Sequence, residues 1–194
     1  IDPTELVRLP ADVGIVTDAR VGTRALVDAL ESSNGKAMGV AFVGQEVTEK
    51  ELEWMHKAGV RGVRFNFLTR LVDITPRDEL QRIIDKVKPF GWHMEFLAHV
   101  DEFPDLDNML DGFPVDTVYG HLGYMKTSLG VNNPGFQALR RLMKLGKAWV
   151  KFTGPYRISG EALPHTDTNA YAHALIAANQ KQQVALEARF QAGQ

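Results

Sequence analysis

The sequence predicts an α/β fold with a parallel sheet, and two observations carry this prediction. Short runs of β-branched and aromatic residues alternate along the chain with longer segments of helical periodicity, which is the pattern of repeated strand–helix–strand units. No repeat, low-complexity stretch or long linker interrupts this alternation in the 194 residues. We therefore expect one domain spanning residues 1–194.

Six strands are expected from short runs rich in Val, Ile, Phe and Tyr, at residues 13–17, 37–44, 62–67, 93–99, 116–121 and 148–154. Helical periodicity between and after these runs predicts helices at residues 24–33, 48–59, 76–91, 105–110, 133–146 and, as one or two helices, 169–190. Thr48 followed by Glu51 is a capping box that should start the second helix. Glycines stand where three helices should stop, at Gly59, Gly91 and Gly146.

About six βα units in a row suit either an open doubly wound sheet or most of a (β/α)₈ barrel, which typically needs about 250 residues. An open nucleotide-binding sheet usually carries a glycine-rich first turn that binds phosphate. Neither G-x-G-x-x-G nor G-x-x-x-x-G-K-[ST] occurs in this chain. The doubly wound nucleotide-binding fold is therefore disfavoured.

Composition excludes several classes of function. The 22 basic and 24 acidic residues leave a formal net charge of −2, so neither nucleic acid nor an anionic membrane is expected as a partner. The chain has no cysteine, which excludes disulfides, thiolate metal sites and a cysteine nucleophile.

No apolar stretch approaches the roughly 20 residues that span a bilayer, and a cytoplasmic protein is expected. A homo-oligomer is compatible with the sequence, which does not fix the oligomeric state.

Polar side chains alternate with apolar ones in the strand "GVRFNF". Val63 and Phe65 share one face, so Arg64 and Asn66 share the other. A buried arginine is costly unless it meets an anion or several acceptors. Arg64 is therefore either a substrate contact or a structural ion-pair partner.

Two further arginines follow the carboxyl ends of strands, Arg70 in "FLTRL" and Arg157 after "AWVKFTGPY". In an α/β barrel that rim binds the substrate, and forked guanidinium groups there suit a carboxylate-bearing ligand. Arg70 in isolation is more typical of a solvated surface residue. Together the three arginines favour a small carboxylated substrate.

Two other side chains are candidates for chemistry. Glu95, in "HMEFLAH", is either an acid or base or a structural partner of Arg64 or Lys151. His121 is the last residue of its expected strand, and the Leu-Gly that follows lets the chain turn at once. A strand-end histidine alone is more often satisfied by a backbone group. Beside three rim arginines, the functional interpretation of His121 is favoured.

Five stretches resemble the amidohydrolase superfamily, in particular its branch of TIM-barrel hydrolases that includes 2-pyrone-4,6-dicarboxylate lactonases. They are residues 59–67, 91–96, 119–125, 150–159 and 172–179, and their order and spacing also agree across roughly residues 10 to 180. The resemblance implies a (β/α)₈ TIM barrel that is incomplete in these residues. The first strand's His-x-His pair and the last strand's aspartate, which are typical of the family, do not occur.

The resemblance implies a hydrolase that opens a small carboxylated lactone by attack of water on the ester carbonyl. His121 would be the active-site histidine, and the expected substrate contacts are Arg64, Arg70, Arg157, Asn66 and Tyr124. The cofactor would be either a divalent, zinc-like metal with His121 as a ligand, or none. A non-catalytic dicarboxylate-binding remnant or fragment and a decarboxylase of the same superfamily are the alternatives.

Overall fold

The computed structural model describes residues 19–67, 77–110, 112–178 and 184–185, in which helices and strands alternate as the sequence predicts. The helices are α1 (Ala19–Ser32), α2 (Glu49–Ala58), α3 (Arg77–Val87), α4 (Leu106–Met109), α5 (Pro134–Lys144), α6 (Pro155–Ile158) and α7 (Asn169–Ala178). The strands are β1 (Gly39–Ala41), β2 (Val60–Asn66), β3 (His93–Leu97), β4 (Thr117–Tyr119), β5 (Ala148–Lys151) and β6 (Val184–Ala185). The strand expected at 13–17 and the side chain of Arg70 lie outside the described residues.

The described strands form a parallel sheet. β1 pairs with β2, β4 with β5, and β5 with β6, and each of these pairs is parallel. The strand order follows the chain from β1 to β6. Parallel strands in chain order are what repeated right-handed βα units produce. The predicted α/β class with a parallel sheet is therefore confirmed.

Several element boundaries differ from the sequence-based expectation, and two of the differences lie in the second half of the chain. Of the residues 169–190 expected to form one or two helices, Asn169–Ala178 are helical, whereas Val184–Ala185 pair with Val150 and Lys151 of β5. The prediction was wrong there because the open edge of β5 provides backbone partners that local periodicity does not reveal. The strand expected to reach His121 ends at Tyr119, where the backbone leaves the extended conformation.

The described residues divide into two compact units, one with residues 19–65 and 77–94, and the other with residues 66–67, 95–110, 112–178 and 184–185. In the first unit, the predicted capping box starts α2: the Glu51 N–H donates to the Thr48 hydroxyl, and the Thr48 N–H donates to the Glu51 carboxylate at 2.8 Å. Gly59, with a left-handed φ of 116°, ends the helix. The apolar face of α2 buries Leu52 and Met55.

The pattern of β2 agrees with its predicted alternation. Val63 and Phe65 are 0% and 1% exposed, whereas Arg64 between them is only half-buried.

The lack of a side chain at Gly62 leaves space for the ring of His93, because a Cβ there would lie 2.6 Å from His93 Nε2. This contact fits a structural role for His93 at the start of β3.

In the second unit, α5 packs closely against the short 3₁₀ turn Val100–Glu102. Asn133 caps the helix by accepting hydrogen bonds from the N–H groups of Gly135 and Phe136. A Cβ at Gly135 would lie 1.8 Å from the Val100 carbonyl oxygen, so glycine is needed for this approach. The apolar face of α5 is buried, through Phe136, Ala138, Leu139, Leu142 and Met143.

An aromatic layer supports the ends of β3 and β4 in the same unit. The rings of Phe96 and Tyr119 stack at 5.6 Å, and Phe67 contacts Phe96 at 5.4 Å. These rings fix the strand ends from which the polar residues described below extend.

Within the described ranges, every helix is too short or too polar to cross a membrane.

Candidate active site

One face of β5 carries polar side chains. Ala148 and Val150 are fully buried on the opposite face, whereas Lys151 is half-buried and Thr153 follows it at the same alternation. The Lys151 ammonium lies 3.1 Å from Oε2 of Glu95, a residue only 4% exposed. The sequence allowed either Arg64 or Lys151 as a structural partner of Glu95, and the structure has the ion pair with Lys151.

The backbone after β4 adopts a run of left-handed conformations. His121, Leu122, Gly123 and Tyr124 have φ values of 47°, 57°, 85° and 59°. For a residue with a Cβ, this conformation costs about 1–2 kcal/mol, and such strain is concentrated at functional sites. The direction of the His121 side chain is therefore set by this turn rather than by strand alternation.

The His121 ring is held from three sides. Its Nδ1 lies 3.0 Å from the Thr153 hydroxyl oxygen, and the Tyr124 ring packs edge-on at a centroid distance of 5.1 Å. Gly154 lies on the third side of the ring. A Cβ added to Gly154 would be only 2.5 Å from His121 Nδ1, so the ring occupies the space that a side chain would need. These contacts leave the imidazole little freedom to rotate.

Tyr124 links the histidine to a cation. Its hydroxyl accepts a hydrogen bond from Arg157 Nη1 at 3.2 Å. Its ring also packs edge-on against His99, with centroids 5.1 Å apart. Tyr124 therefore touches three polar residues of the site, namely His99, His121 and Arg157.

Arg157 lies on the short helix α6 and is half-buried. Burial by itself lowers the pKa of its guanidinium, but the phenols of Tyr124 and Tyr156 outweigh burial and raise the pKa above its ordinary value. The Lys126 ammonium donates a hydrogen bond to the Arg157 carbonyl at 3.0 Å. Two cationic side chains thus accompany the His121 turn, which makes this surface suitable for an anion.

A carboxylate anchors the loop that follows α6. Asp167 accepts hydrogen bonds from the hydroxyls of Thr127 and Ser159, each at 2.5 Å, and from the Gly160 N–H at 2.8 Å. Desolvation opposes its ionisation, but these hydrogen bonds outweigh desolvation and lower the pKa of Asp167 to about 2. The Asp167 contacts therefore tie this loop to the segment that carries Lys126.

The structure brings three of the predicted site residues together: His121, Tyr124 and Arg157. Asn66 ends β2 and is half-buried, and Arg64 lies on β2 in the first unit. The expectation that Arg64 and Arg70 join His121 stays a prediction.

Sequence reasoning missed three residues of this site. Thr153 shares the face of Lys151, so alternation could have placed it beside the strand-end histidine. Gly154 was recognisable only as a turn residue, because the sequence does not show which ring approaches it. The contact of His99 with Tyr124 joins segments that follow different strands, so no local pattern shows it.

A parallel βα fold with a histidine and an arginine beyond its strand ends is consistent with a protein of the amidohydrolase type. A family model described as "Amidohydrolase" matches residues 10–182, and the chain belongs to this family. The predicted superfamily is thereby confirmed.

Two curated relatives and one solved structure are similar over most of the chain. The chain is 39% identical over 151 residues to a 2-pyrone-4,6-dicarboxylate hydrolase of Comamonas testosteroni, covering 76% of this chain and 50% of that protein. It is 31% identical over 150 residues to a 4-sulfomuconolactone hydrolase of Rhizobium radiobacter, covering 77% and 50%. The crystal structure of a putative 2-pyrone-4,6-dicarboxylic acid hydrolase of Pseudomonas putida matches with a TM-score of 0.76 and 28% identity, over 89% of this chain and 63% of that one.

The structural match confirms the predicted fold class, a (β/α)₈ TIM-barrel type that is incomplete in these residues. The chain spans about half the length of the curated relatives it matches.

The residues described do not fit a metal ion. Within those ranges, no group of three or more His, Asp or Glu side chains is arranged to hold one. Members of the amidohydrolase superfamily are often metal-dependent.

Proposed function

We propose that the chain belongs to a hydrolase that opens a small carboxylated lactone by attack of water on the ester carbonyl. The observation that carries the proposal is the group formed by His121, Tyr124 and Arg157, in which an imidazole stands beside a guanidinium. The names of the two curated relatives support it, because each describes the hydrolysis of a lactone that bears an acidic group.

Arg157 would bind a substrate carboxylate, and its contact with Tyr124 would orient the guanidinium. Arg64, Asn66 and Arg70 are proposed to hold the remaining polar groups of the substrate. Binding at several points would fix the ester carbonyl beside His121, which is how positioning lowers a reaction barrier.

The reaction would consume one water molecule. Water oxygen adds to the ester carbonyl, His121 stabilises the developing negative charge by a hydrogen bond, and the ring carbon–oxygen bond then breaks. The proton that the attacking water loses ends on the ring oxygen as this oxygen leaves, which yields an open-chain acid. Glu95 is the proposed acid or base, although its ion pair with Lys151 also serves the structure.

An assay of 2-pyrone-4,6-dicarboxylate ring opening tests the proposal. The loss of the ring's ultraviolet absorbance measures the rate. The uncharged dimethyl ester is the matched substrate that an arginine site should reject. Arg157→Met should lower kcat/KM for the diacid by roughly 30- to 5,000-fold, the equivalent of losing a charge pair that is worth about 2–5 kcal/mol. Arg141→Met is the control, because the exposed Arg141 side chain pairs with Asp107 and contacts none of the site residues named above.

Other outcomes would support the alternatives. Binding of the diacid in calorimetry without turnover would indicate a non-catalytic binding module. Release of carbon dioxide in place of ring opening would indicate a decarboxylase. Equal turnover of the diacid and its dimethyl ester would contradict the assignment of Arg157 to a carboxylate.

A further inference from the structure

We propose that Thr153 is a positioning residue that keeps the proton of neutral His121 on Nε2, so that the imidazole acts as a hydrogen-bond donor toward the substrate. The catalytic part of this inference rests on the proposed hydrolase function, whereas the proton position does not. The Thr153 hydroxyl oxygen lies 3.0 Å from His121 Nδ1. This distance is within the range of an ordinary hydrogen bond.

The Thr153 hydroxyl can either donate its one hydrogen to an unprotonated Nδ1 or accept a hydrogen bond from Nδ1–H. We infer donation, because a hydroxyl that accepted here would leave its own hydrogen without a protein acceptor among the described residues. Among the residues that the structure describes, His121 Nδ1 is the only hydrogen-bond partner of this hydroxyl. Donation to Nδ1 requires a lone pair on that nitrogen, and in a neutral imidazole the proton then resides on Nε2.

The surrounding geometry makes the arrangement specific to one ring orientation. Gly154 adjoins Thr153 and leaves space for the ring, since a Cβ would approach Nδ1 to 2.5 Å. The Tyr124 ring packs edge-on against the same imidazole. A ring flip would remove Nδ1 from the Thr153 hydroxyl, so ring orientation and proton position are fixed together.

This arrangement matches the chemistry of ester hydrolysis. An Nε2–H group can donate a hydrogen bond to the carbonyl oxygen on which negative charge develops. A proton on Nδ1 would instead leave Nε2 as an acceptor, which would repel that oxygen. Thr153 would therefore select the form of His121 that polarises a carbonyl over the form that would act as a base through Nε2.

Nitrogen-15 spectra of the histidine-labelled chain at neutral pH test the proton position without any substrate. The His121 signals are assigned by their loss in His121→Gln. We expect a pyridine-type Nδ1 and a pyrrole-type Nε2 in the wild-type chain. In Thr153→Val the ratio of the two tautomers should shift by roughly 2- to 12-fold toward Nδ1–H, which is the effect of losing one ordinary hydrogen bond.

Thr153→Ser should restore the wild-type spectrum, because it keeps the hydroxyl. Thr117→Val is the matched control, since it removes a buried hydroxyl that donates to the Lys147 carbonyl at 2.9 Å. This control should leave the His121 nitrogen shifts unchanged even if it lowers stability. A wild-type spectrum with the proton on Nδ1 would overturn the proposal, and so would a Thr153→Val spectrum identical to the wild type.

Kinetics separate this inference from the proposed function. If the chain hydrolyses the diacid, Thr153→Val should lower kcat more than it raises KM, and Thr153→Ser should recover kcat. If no lactone is opened, the nitrogen spectra still decide where the proton resides. If Thr153→Val does not fold, the wild-type and Thr153→Ser spectra alone can overturn the proposal.

Discussion

Replacing Gly154 by alanine should damage the site through two separable effects. Gly154 has φ of 58° and ψ of 45°, and a residue with a Cβ loses about 1–2 kcal/mol in this conformation. The added Cβ would also lie 2.5 Å from His121 Nδ1 and 3.2 Å from Arg157 Cδ. The imidazole must move, and the loss of its hydrogen bond to Thr153 adds about 0.5–1.5 kcal/mol.

The expected total is about 1.5–3.5 kcal/mol of unfolding free energy, the sum of these two contributions. Gly91→Ala is the matched control, because Gly91 has a left-handed φ of 67° and a Cβ added there would meet no atom within 4 Å. This control should show the backbone contribution alone. Urea denaturation of both variants gives the difference, and nitrogen-15 spectra report whether the His121 ring has moved.

A Gly154→Ala variant no less stable than Gly91→Ala, with its His121 signals at their wild-type positions, would contradict this expectation. That result would mean that the ring does not occupy the space beside Gly154. A loss of diacid hydrolysis without any change in the spectra would also contradict it, because activity would then depend on Gly154 by another route.

Three further predictions concern stability. Tyr119→Phe should raise the unfolding free energy in urea by about 1 kcal/mol, because its buried hydroxyl has no hydrogen bond of good geometry in the described part of the chain. Burial raises the pKa of this phenol and outweighs the nearby Thr117 hydroxyl, which lowers it. A loss of stability would show that the Tyr119 hydroxyl does donate to Thr117. Asp167 has its pKa lowered from 3.8 to about 2, so its contribution is present above about pH 4 and is lost as the pH falls toward 2; melting curves of Asp167→Asn should depend less on pH over this window. Lys151→Met should lower the unfolding free energy in urea by about 1.5–3 kcal/mol, the range for a charge-assisted hydrogen bond. Lys144→Met on the exposed surface is the control, and equal effects of the two changes would show that the pair with Glu95 contributes nothing.

Local sequence patterns were sufficient to predict most of the sheet. The capping box at Thr48 and the alternation around Arg64 depend on neighbours within a few residues, and the structure has both. β6 could not be predicted in this way, because its two residues become a strand only by pairing with β5. Pairing between distant segments is a tertiary effect that periodicity does not contain.

The site was predictable in residue type but not in geometry. His121, Tyr124 and Arg157 were expected near the strand ends, and the structure brings these three together. The sequence does not show that four consecutive residues from His121 would adopt positive φ, because only Gly123 among them favours that conformation. The partner of the imidazole therefore had to be found in the structure.

The left-handed run gives a physical reason for the close packing around His121. His121, Leu122 and Tyr124 each adopt a conformation that costs about 1–2 kcal/mol, so other contacts must hold the turn. Leu122 is buried, and Tyr124 is held by Arg157. The residues that stabilise the strained turn therefore include the proposed substrate contacts. Removing the Tyr124 hydroxyl by Tyr124→Phe should consequently weaken both stability and binding of the diacid, whereas a pure ligand contact would affect binding alone; urea denaturation and calorimetry on the same variant distinguish these results.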